Sequence, residues 1–207
     1  MSRIRIALSA HLARYWGVLV FAVICGCATT SGDDPDTPKV YLVPLGDYSP
    51  ASAESLAKYV QEKSGVTTVV LSPVALPRRV VDHQRKQIVA EDLGALITER
   101  YSKLLGKPKK AIIGLTHEDM YTQQADWRFA FAARPTPGIA IISNWRMNPE
   151  NLSQPKDDKQ LNERLKKMLI KNVGILVSQH PENDDPKSAF YRGIRSVDDL
   201  DAIQRDF

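Results

Sequence analysis

The chain of 207 residues carries 28 lysine and arginine residues against 24 aspartate and glutamate residues, a formal net charge of +4 at pH 7. Three of the basic residues and none of the acidic ones lie in residues 1–27, so residues 28–207 carry a net charge of only +1. So small an excess argues against a nucleic-acid partner. Both cysteines also lie in residues 1–27, which excludes disulfides and cysteine-ligated metals from the remainder of the chain.

The N-terminal residues resemble an export signal. Three basic residues precede an apolar run over residues 16–24, which is shorter than a membrane-spanning helix, and small residues precede Cys27. The sequence Ile-Cys-Gly-Cys over residues 24–27 fits the cleavage motif of a bacterial lipoprotein. We therefore predict a signal peptide over residues 1–26 and a lipid on Cys27. An uncleaved membrane anchor is the alternative, and both interpretations place the remaining residues outside the cytoplasm.

The position after the predicted lipidation site indicates where the protein resides. Ala28 follows Cys27 where an aspartate would favour retention in the inner membrane, so by resemblance to known lipoproteins we expect anchoring at the periplasmic face of the outer membrane in preference to the inner membrane. Two or three acyl chains would hold the protein firmly to that membrane. Residues 27–39 are rich in threonine, serine, glycine, aspartate and proline and are predicted to form a flexible tether before one domain over residues 40–207.

Within residues 40–207, apolar segments with the period of strands alternate with segments with the period of helices. This alternation predicts an α/β domain with a largely parallel sheet and helices packed on it. Strands are predicted over residues 40–45, 66–72, 110–116, 127–133 and 138–143. Helices are predicted over residues 49–65, 84–106 and 158–177, and the alternating segment 127–133 is predicted to be an edge strand.

The order of these elements resembles the catalytic domain of the metzincin zinc peptidases. The segments "YLVPLGDYS", "LPRRVVDHQRKQIVAEDL", "IIGLTHEDMY" and "IAIISNWRMNP" are similar, in this order, to the archaemetzincin pattern. The resemblance implies a twisted, mostly parallel sheet of about five strands with one antiparallel edge strand. It also implies two helices on the sheet, a long third helix at the site and a short C-terminal helix, for which "SVDDLDAIQRDF" is the candidate.

The zinc motif of that family, HExxHxxGxxH, is degenerate in this chain. In the motif two histidines one turn apart bind zinc, the glutamate activates a zinc-bound water, and the glycine ends the helix so that the third histidine reaches the metal. With His180 taken as the third histidine, we assign Lys171 and Asn172 to the His-Glu pair, Ile175 to the second histidine and Ser178 to the glycine. Three of the four chemical groups are then missing, although a catalytic zinc normally has three protein ligands.

One further feature belongs to the same resemblance. The segment "DPKSAFYRGI" is similar to the Met-turn of metzincins and puts Phe190 in the place of the methionine. An unorthodox metal site is the alternative to the degenerate one, built from His180, the acidic segment "ENDD" over residues 182–185, in which Asp184 and Asp185 are the candidate ligands, and His83 or His117. "PENDDP" is also typical of a solvated turn, and "THEDMY" of a capped helical turn, so these histidines and acids can equally be surface residues.

These observations lead to two functional hypotheses. In the first, no cofactor is bound and a membrane-tethered, catalytically inactive protein binds a peptide or protein between the edge strand and the helix over residues 160–178. The strand residues expected to contact the partner are Trp127, Arg128, Phe129 and Phe131. In the second, the protein is an active zinc-dependent metallopeptidase with non-standard ligands around His180. A structural envelope protein without cleft chemistry is a third possibility.

Overall fold

The computed structural model describes residues 37–125 and 127–205. Twelve regular elements follow one another along this part of the chain: β1 (Lys39–Pro44), α1 (Pro50–Ser64), β2 (Thr67–Val70), β3 (Val81–Asp82), β4 (Gln87–Val89), α2 (Ala90–Tyr101), β5 (Lys110–Thr116), β6 (Met120–Tyr121), β7 (Ala132–Thr136), β8 (Ile139–Ser143), α3 (Asp158–Leu176) and α4 (Val197–Ala202). Across these residues we find no helix with both the length and the apolar character that a membrane span needs. The predicted signal peptide and lipidation at Cys27 lie outside the described residues.

A five-stranded sheet organises the domain, in the order β2-β1-β5-β8-β7. The first four strands are parallel to their neighbours and β7 runs antiparallel to β8 at one edge. Every residue of β5 and β8 is buried, because helices cover both faces of the sheet, as is usual for parallel strands. The predicted fold class is confirmed: a mostly parallel five-stranded sheet with one antiparallel edge strand and a long third helix.

The two faces of the sheet carry separate cores. On one face, α1 and α3 contribute Val60 and Leu169 to a cluster with Ile113 of β5. On the opposite face, α2 contributes Leu93 and Ile97 to the second cluster. The long helix α3 therefore lies on the same side of the sheet as α1.

The second predicted helix begins later than its sequence pattern suggests. Residues 84–106 are predicted to be helical, but Gln87–Val89 forms β4, and α2 begins only at Ala90. Ile88 pairs with Met120 of β6, and β3 completes a separate three-stranded sheet. Lys86 has a φ of +54°, a backbone conformation that breaks a right-handed helix at this point. The segment "THEDMY" enters the same small sheet and does not form the helical turn considered above.

The edge strand also lies further along the chain than predicted. It spans Ala132–Thr136, whereas the apolar alternation predicts residues 127–133. Before it, the N–H of Ala130 donates to the carbonyl of Met120 at 2.8 Å, so this backbone is tied to the small sheet. The alternating rings of Phe129 and Phe131 pack edge to face, with centroids 5.2 Å apart. Trp127, Arg128, Phe129 and Phe131 therefore precede the edge strand.

Candidate functional site

A cleft of about 840 Å³ opens beside the edge strand. Its walls are the loop before β7, the first residues of β7, the flank of α3 and the chain between α3 and α4. The lining residues are Thr122, Gln124, Ala125, Trp127, Arg128, Phe129, Ala130, Phe131, Ala132, Ala133, Arg134, Met168, Lys171, Glu182, Arg192, Ile194 and Arg195. The four aromatic and basic residues predicted to contact a partner are all among them, although as part of the loop.

Hydrogen bonds from the small sheet fix the loop that forms one wall. The guanidinium of Arg85 donates to the carbonyl oxygens of Trp127 and Arg128, each at 3.2 Å. The buried amide of Gln87 donates to the carbonyl of Arg128 at 3.0 Å and to the carboxylate of Asp119 at 3.0 Å. Because a buried polar network is costly to rearrange, this wall is held in place without being part of a strand.

The spacing of the zinc motif refines the assignment made from the sequence. In HExxHxxGxxH the third histidine follows the first by ten residues, so His180 in third place puts Ile170 at the first histidine, Lys171 at the glutamate and Gly174 at the second histidine. In the structure the Cβ position of Gly174 lies 3.5 Å from His180 Cδ2. The placement of Lys171 at the first histidine is thus shifted by one residue.

The helix offers no metal ligand in either register. Ile170 is buried and apolar, and Gly174 has no side chain. In the other register, Asn172 is fully buried and its side-chain oxygen accepts a hydrogen bond from Arg134 at 3.2 Å, while Ile175 is half-buried and apolar. The glutamate position itself carries the ammonium group of a lysine.

An ion network occupies this part of the cleft, formed by Lys171, Glu182 and Arg134, which we call the charged triad. Lys171 Nζ lies 2.9 Å from one carboxylate oxygen of Glu182, and Arg134 Nη2 lies 2.7 Å from the other. Lys171 also donates to the carbonyl oxygen of Tyr191. The Lys171 side chain is only 4% exposed, against 29% for Glu182 and 31% for Arg134, so the lysine is the most desolvated member.

Burial and ion pairing act in opposite directions on the pKa of Lys171 and also on the pKa of Glu182. Burial lowers the pKa of Lys171, and the carboxylate of Glu182 only partly opposes this effect. Burial raises the pKa of Glu182, but the hydrogen bond from Lys171 and the charges of Arg134 and Lys171 outweigh it and hold that pKa below its ordinary value. At neutral pH the carboxylate is therefore ionised and compensates the buried ammonium.

Beside the charged triad, three residues pack where the second histidine of the motif would lie. His180 stacks on Phe190, with ring centroids 4.7 Å apart and an interplanar angle of 24°. The N–H of His180 donates to the carbonyl of Gly174 at 3.0 Å. A Cβ on Gly174 would lie 2.4 Å from Phe190 Cε1, far inside van der Waals contact. The ring of Phe190 thus fills the space of a side chain at position 174.

The other predicted ligands are dispersed. Asp184 is exposed and pairs with Arg192 at 2.9 Å, and Asp185 accepts a hydrogen bond from the backbone N–H of Lys187 at 3.0 Å. His83 is exposed. His117 stacks on Tyr48 with centroids 4.5 Å apart, and its Nδ1 lies 2.9 Å from Asn144 Oδ1. Over residues 37–125 and 127–205, histidine, cysteine and acidic side chains nowhere gather in threes as a metal site requires.

Sequence reasoning missed Arg134 and the ion pairing of Glu182, which it considered only as part of an acidic metal-binding segment. Glu182 lies in the segment interpreted as a solvated turn, and Arg134 lies one residue beyond the predicted edge strand. One signal was available: Lys171 follows Leu169 and Ile170 and precedes Val173 on a helix with a buried face. A lysine in such surroundings is rarely buried without a carboxylate partner, although the pattern does not identify that partner.

Comparison with known proteins identifies relatives of the whole domain. No protein-family model matches the chain. It is 30% identical over 167 residues to the archaemetzincin of Pyrococcus furiosus, a match that covers 77% of this chain and 84% of that protein. The fold is similar to the crystal structure of archaemetzincin from Archaeoglobus fulgidus complexed with malonate, with a TM-score of 0.62, 20% identity, and coverage of 82% of this chain and 94% of that one.

Two further solved structures share the fold. A zinc-dependent peptidase from Methanocorpusculum labreanum matches with a TM-score of 0.62 at 19% identity, over 81% of this chain and 95% of that one. Archaemetzincin from Methanopyrus kandleri matches with a TM-score of 0.61 at 22% identity, over 83% of this chain and 89% of that one. These solved structures therefore share the fold of this chain over about four fifths of its length.

Proposed function

This chain belongs to the archaemetzincin family, and on that premise we propose that it is a member that has lost peptide hydrolysis. In its place, the cleft beside the edge strand binds a peptide or protein segment. The domain is held at the bacterial cell envelope by a lipid on Cys27, which follows a signal peptide over residues 1–26 and begins a tether over residues 27–39. The observation that carries the loss of hydrolysis is the charged triad of Lys171, Glu182 and Arg134.

The residues of the site do not fit a catalytic zinc. At the glutamate position, Lys171 is paired with the carboxylate of Glu182 at 2.9 Å, and an ammonium paired in this way cannot accept a proton from water as a general base must. Its positive charge also opposes a divalent cation in a poorly hydrated environment. The ring of Phe190 leaves no room for a histidine at Gly174. His180 alone would remain as a motif ligand, fewer than the three that catalytic zinc sites use.

The same cleft retains the features that hold an extended peptide. In the described residues β7 has a strand neighbour on one side only, so backbone groups on its other side are available for pairing. Ala132, Ala133 and Arg134 of β7 line the cleft. Pro135 has no backbone N–H, so the N–H groups that β7 can offer to a bound peptide lie in its first residues, which line the cleft. Trp127, with 57% of its surface exposed, offers an aromatic face beside them.

Metal content separates this proposal from the active-peptidase hypothesis. The full chain and its His180→Ala variant would be purified in a non-ionic detergent without chelator or affinity tag, and their zinc measured by elemental mass spectrometry. Both would be incubated with a mixture of fluorogenic peptides. We expect no stoichiometric zinc and no cleavage in either protein. One zinc per chain that disappears in His180→Ala, together with cleavage, would establish an active peptidase with non-standard ligands.

The lipid anchor is tested separately from the cleft. Cells that express the chain would be labelled with radioactive palmitate, and the protein would be followed through inner- and outer-membrane fractions. We expect Cys27→Ser to abolish labelling and Cys25→Ser, two residues away, to leave it unchanged. Equal labelling of both variants would rule out Cys27 as the lipidated residue, and recovery of unlabelled wild-type protein with an intact N-terminus would favour the uncleaved anchor.

A further inference from the structure

We infer that the segment bound in the cleft is acidic, and that its carboxylates pair with Arg128 and Arg195. This inference rests on the proposed peptide-binding function and adds the chemistry of the bound segment. It follows from the distribution of charge around the cleft, from the pairing of each cation and from the shape of the surface that presents them.

Positive charge is concentrated in the cleft. Among the described residues, one acidic side chain, that of Glu182, and five basic ones line it: Arg128, Arg134, Lys171, Arg192 and Arg195. Residues 28–207 as a whole carry a net charge of only +1, so the remainder of this region is slightly acidic. A concave, low-dielectric wall of one charge sign raises the local concentration of ligands of the opposite sign.

Three of the five cations are already neutralised or shared. Lys171 and Arg134 share the carboxylate of Glu182, so the charged triad keeps a net charge of +1. Arg192 pairs at 2.9 Å with Asp184, which lies outside the lining. Each of these cations therefore has a partner within the domain and gains less from a ligand carboxylate.

Arg128 and Arg195 differ from the other three. Both are exposed, and within residues 37–125 and 127–205 neither guanidinium forms an ion pair or a side-chain hydrogen bond. The backbone N–H of Arg195 and then, more weakly, its charge lower the pKa of Asp199, but that carboxylate is held in the capping box of α4 by Ser196. Two guanidinium groups are thus presented to the cleft, each able to bind a carboxylate in a bidentate manner.

The surroundings favour an extended peptide over a charged membrane surface. Arg128 lies in the loop that leads directly into the free edge of β7, and Trp127 and Phe129 lie beside it. An extended chain that pairs with this edge points alternate side chains to opposite faces. A peptide with alternating acidic and apolar residues can therefore contact the arginines and the aromatic rings together, whereas a flat bilayer cannot enter a cleft.

The test compares matched peptides by fluorescence anisotropy with the full chain in non-ionic detergent. The probes are labelled heptapeptides that alternate leucine with glutamate, with glutamine or with lysine. We expect the glutamate peptide to bind at least about tenfold more tightly than the glutamine peptide, with an affinity that falls as salt rises from 50 to 500 mM. Arg128→Gln/Arg195→Gln should remove about tenfold of that affinity.

A control variant separates the cleft from net charge. Arg78→Gln/Arg100→Gln removes two exposed arginines outside the cleft and should leave the affinity unchanged. Equal binding of the glutamate and glutamine peptides would refute the acidic preference while leaving peptide binding in place. Binding to phosphatidylglycerol vesicles without binding to any peptide would show that the partner is an anionic membrane surface and not an acidic peptide. Cleavage of the probes would instead contradict the proposed loss of hydrolysis.

Discussion

Replacing Glu182 by glutamine removes the carboxylate that lies between the cations of the charged triad and keeps its shape. Lys171, only 4% exposed, then retains its ammonium without a counter-ion. Breaking a fully buried ion pair in this way costs about 3–5 kcal/mol, and an exposed pair costs about 0–1 kcal/mol. Because Glu182 and Arg134 are about one third exposed, we expect Glu182→Gln to lower the free energy of unfolding by about 2–3 kcal/mol.

The opposite substitution should cost less. Lys171→Met removes the desolvated charge itself and leaves Glu182 paired with Arg134 at 2.7 Å. Its main penalty is the loss of the hydrogen bond to the carbonyl of Tyr191, about 1 kcal/mol. Urea denaturation of both single variants and of the double variant gives the three free energies and the coupling between the two residues.

The larger loss of stability expected for Glu182→Gln than for Lys171→Met can be refuted directly. If Lys171→Met is as destabilising as Glu182→Gln or more so, the lysine contributes favourably in its own right and its burial is not the dominant cost. Asp184→Asn, which breaks the exposed pair with Arg192, provides the matched control and should not change stability measurably. Circular dichroism of each variant confirms that the comparison is made between folded proteins.

Three further predictions concern Glu182, Gly174 and Asp201. The pKa of Glu182 lies below its ordinary value of 4.5, so the carboxylate stabilises the folded protein above pH 4.5, and this stabilisation is lost as the pH falls through the lowered value. The difference in unfolding free energy between the wild type and Glu182→Gln, measured by urea denaturation across pH, should therefore narrow in acid. A difference that stays constant with pH would contradict this linkage. Gly174→Ala places a methyl group 2.4 Å from the ring of Phe190. Although alanine is intrinsically the better helix residue, this contact should lower the thermal midpoint by the equivalent of about 1–3 kcal/mol of stability. Adding Phe190→Leu to the same chain should restore part of the lost stability. Asp201→Asn weakens the two charged hydrogen bonds, 2.8 and 2.7 Å long, that tie the buried guanidinium of Arg164 to α4. It should lower the free energy of unfolding by about 2 kcal/mol and speed hydrogen exchange in α4. Unchanged exchange there would show that the pair does not anchor this helix.

Local sequence patterns were sufficient for most of the scaffold. Helix α1 begins after Ser49, whose hydroxyl accepts from the N–H of Ser52, and ends at Gly65 in the left-handed conformation, so these two caps are the first and last residues of the segment 49–65 predicted to be helical. The apolar runs of β5 and β8 predicted buried parallel strands. These features were predictable because capping and apolar periodicity depend on residues close together in the chain.

Local patterns failed where a segment had a choice of neighbours. Gln87–Val89 continues a plausible helical pattern into α2, but its backbone pairs with β6, more than thirty residues further along the chain. In the same way, the alternation over residues 127–133 is that of a strand, yet the backbone N–H of Ala130 donates to Met120 of the small sheet and the strand itself starts at Ala132. Tertiary pairing outweighed local propensity at both places.

For the site, the sequence determined what is missing and the tertiary structure determined what replaces it. The absence of motif ligands on the helix can be read from residues 170–180 alone, since the motif has a fixed spacing. That Lys171 is compensated by Glu182, and Glu182 by Arg134 of β7, depends on contacts across 11 and 48 residues of the chain. Contacts between residues so far apart in the chain leave no periodic pattern in the sequence, because only the tertiary structure brings Lys171 of α3, Glu182 and Arg134 of β7 together.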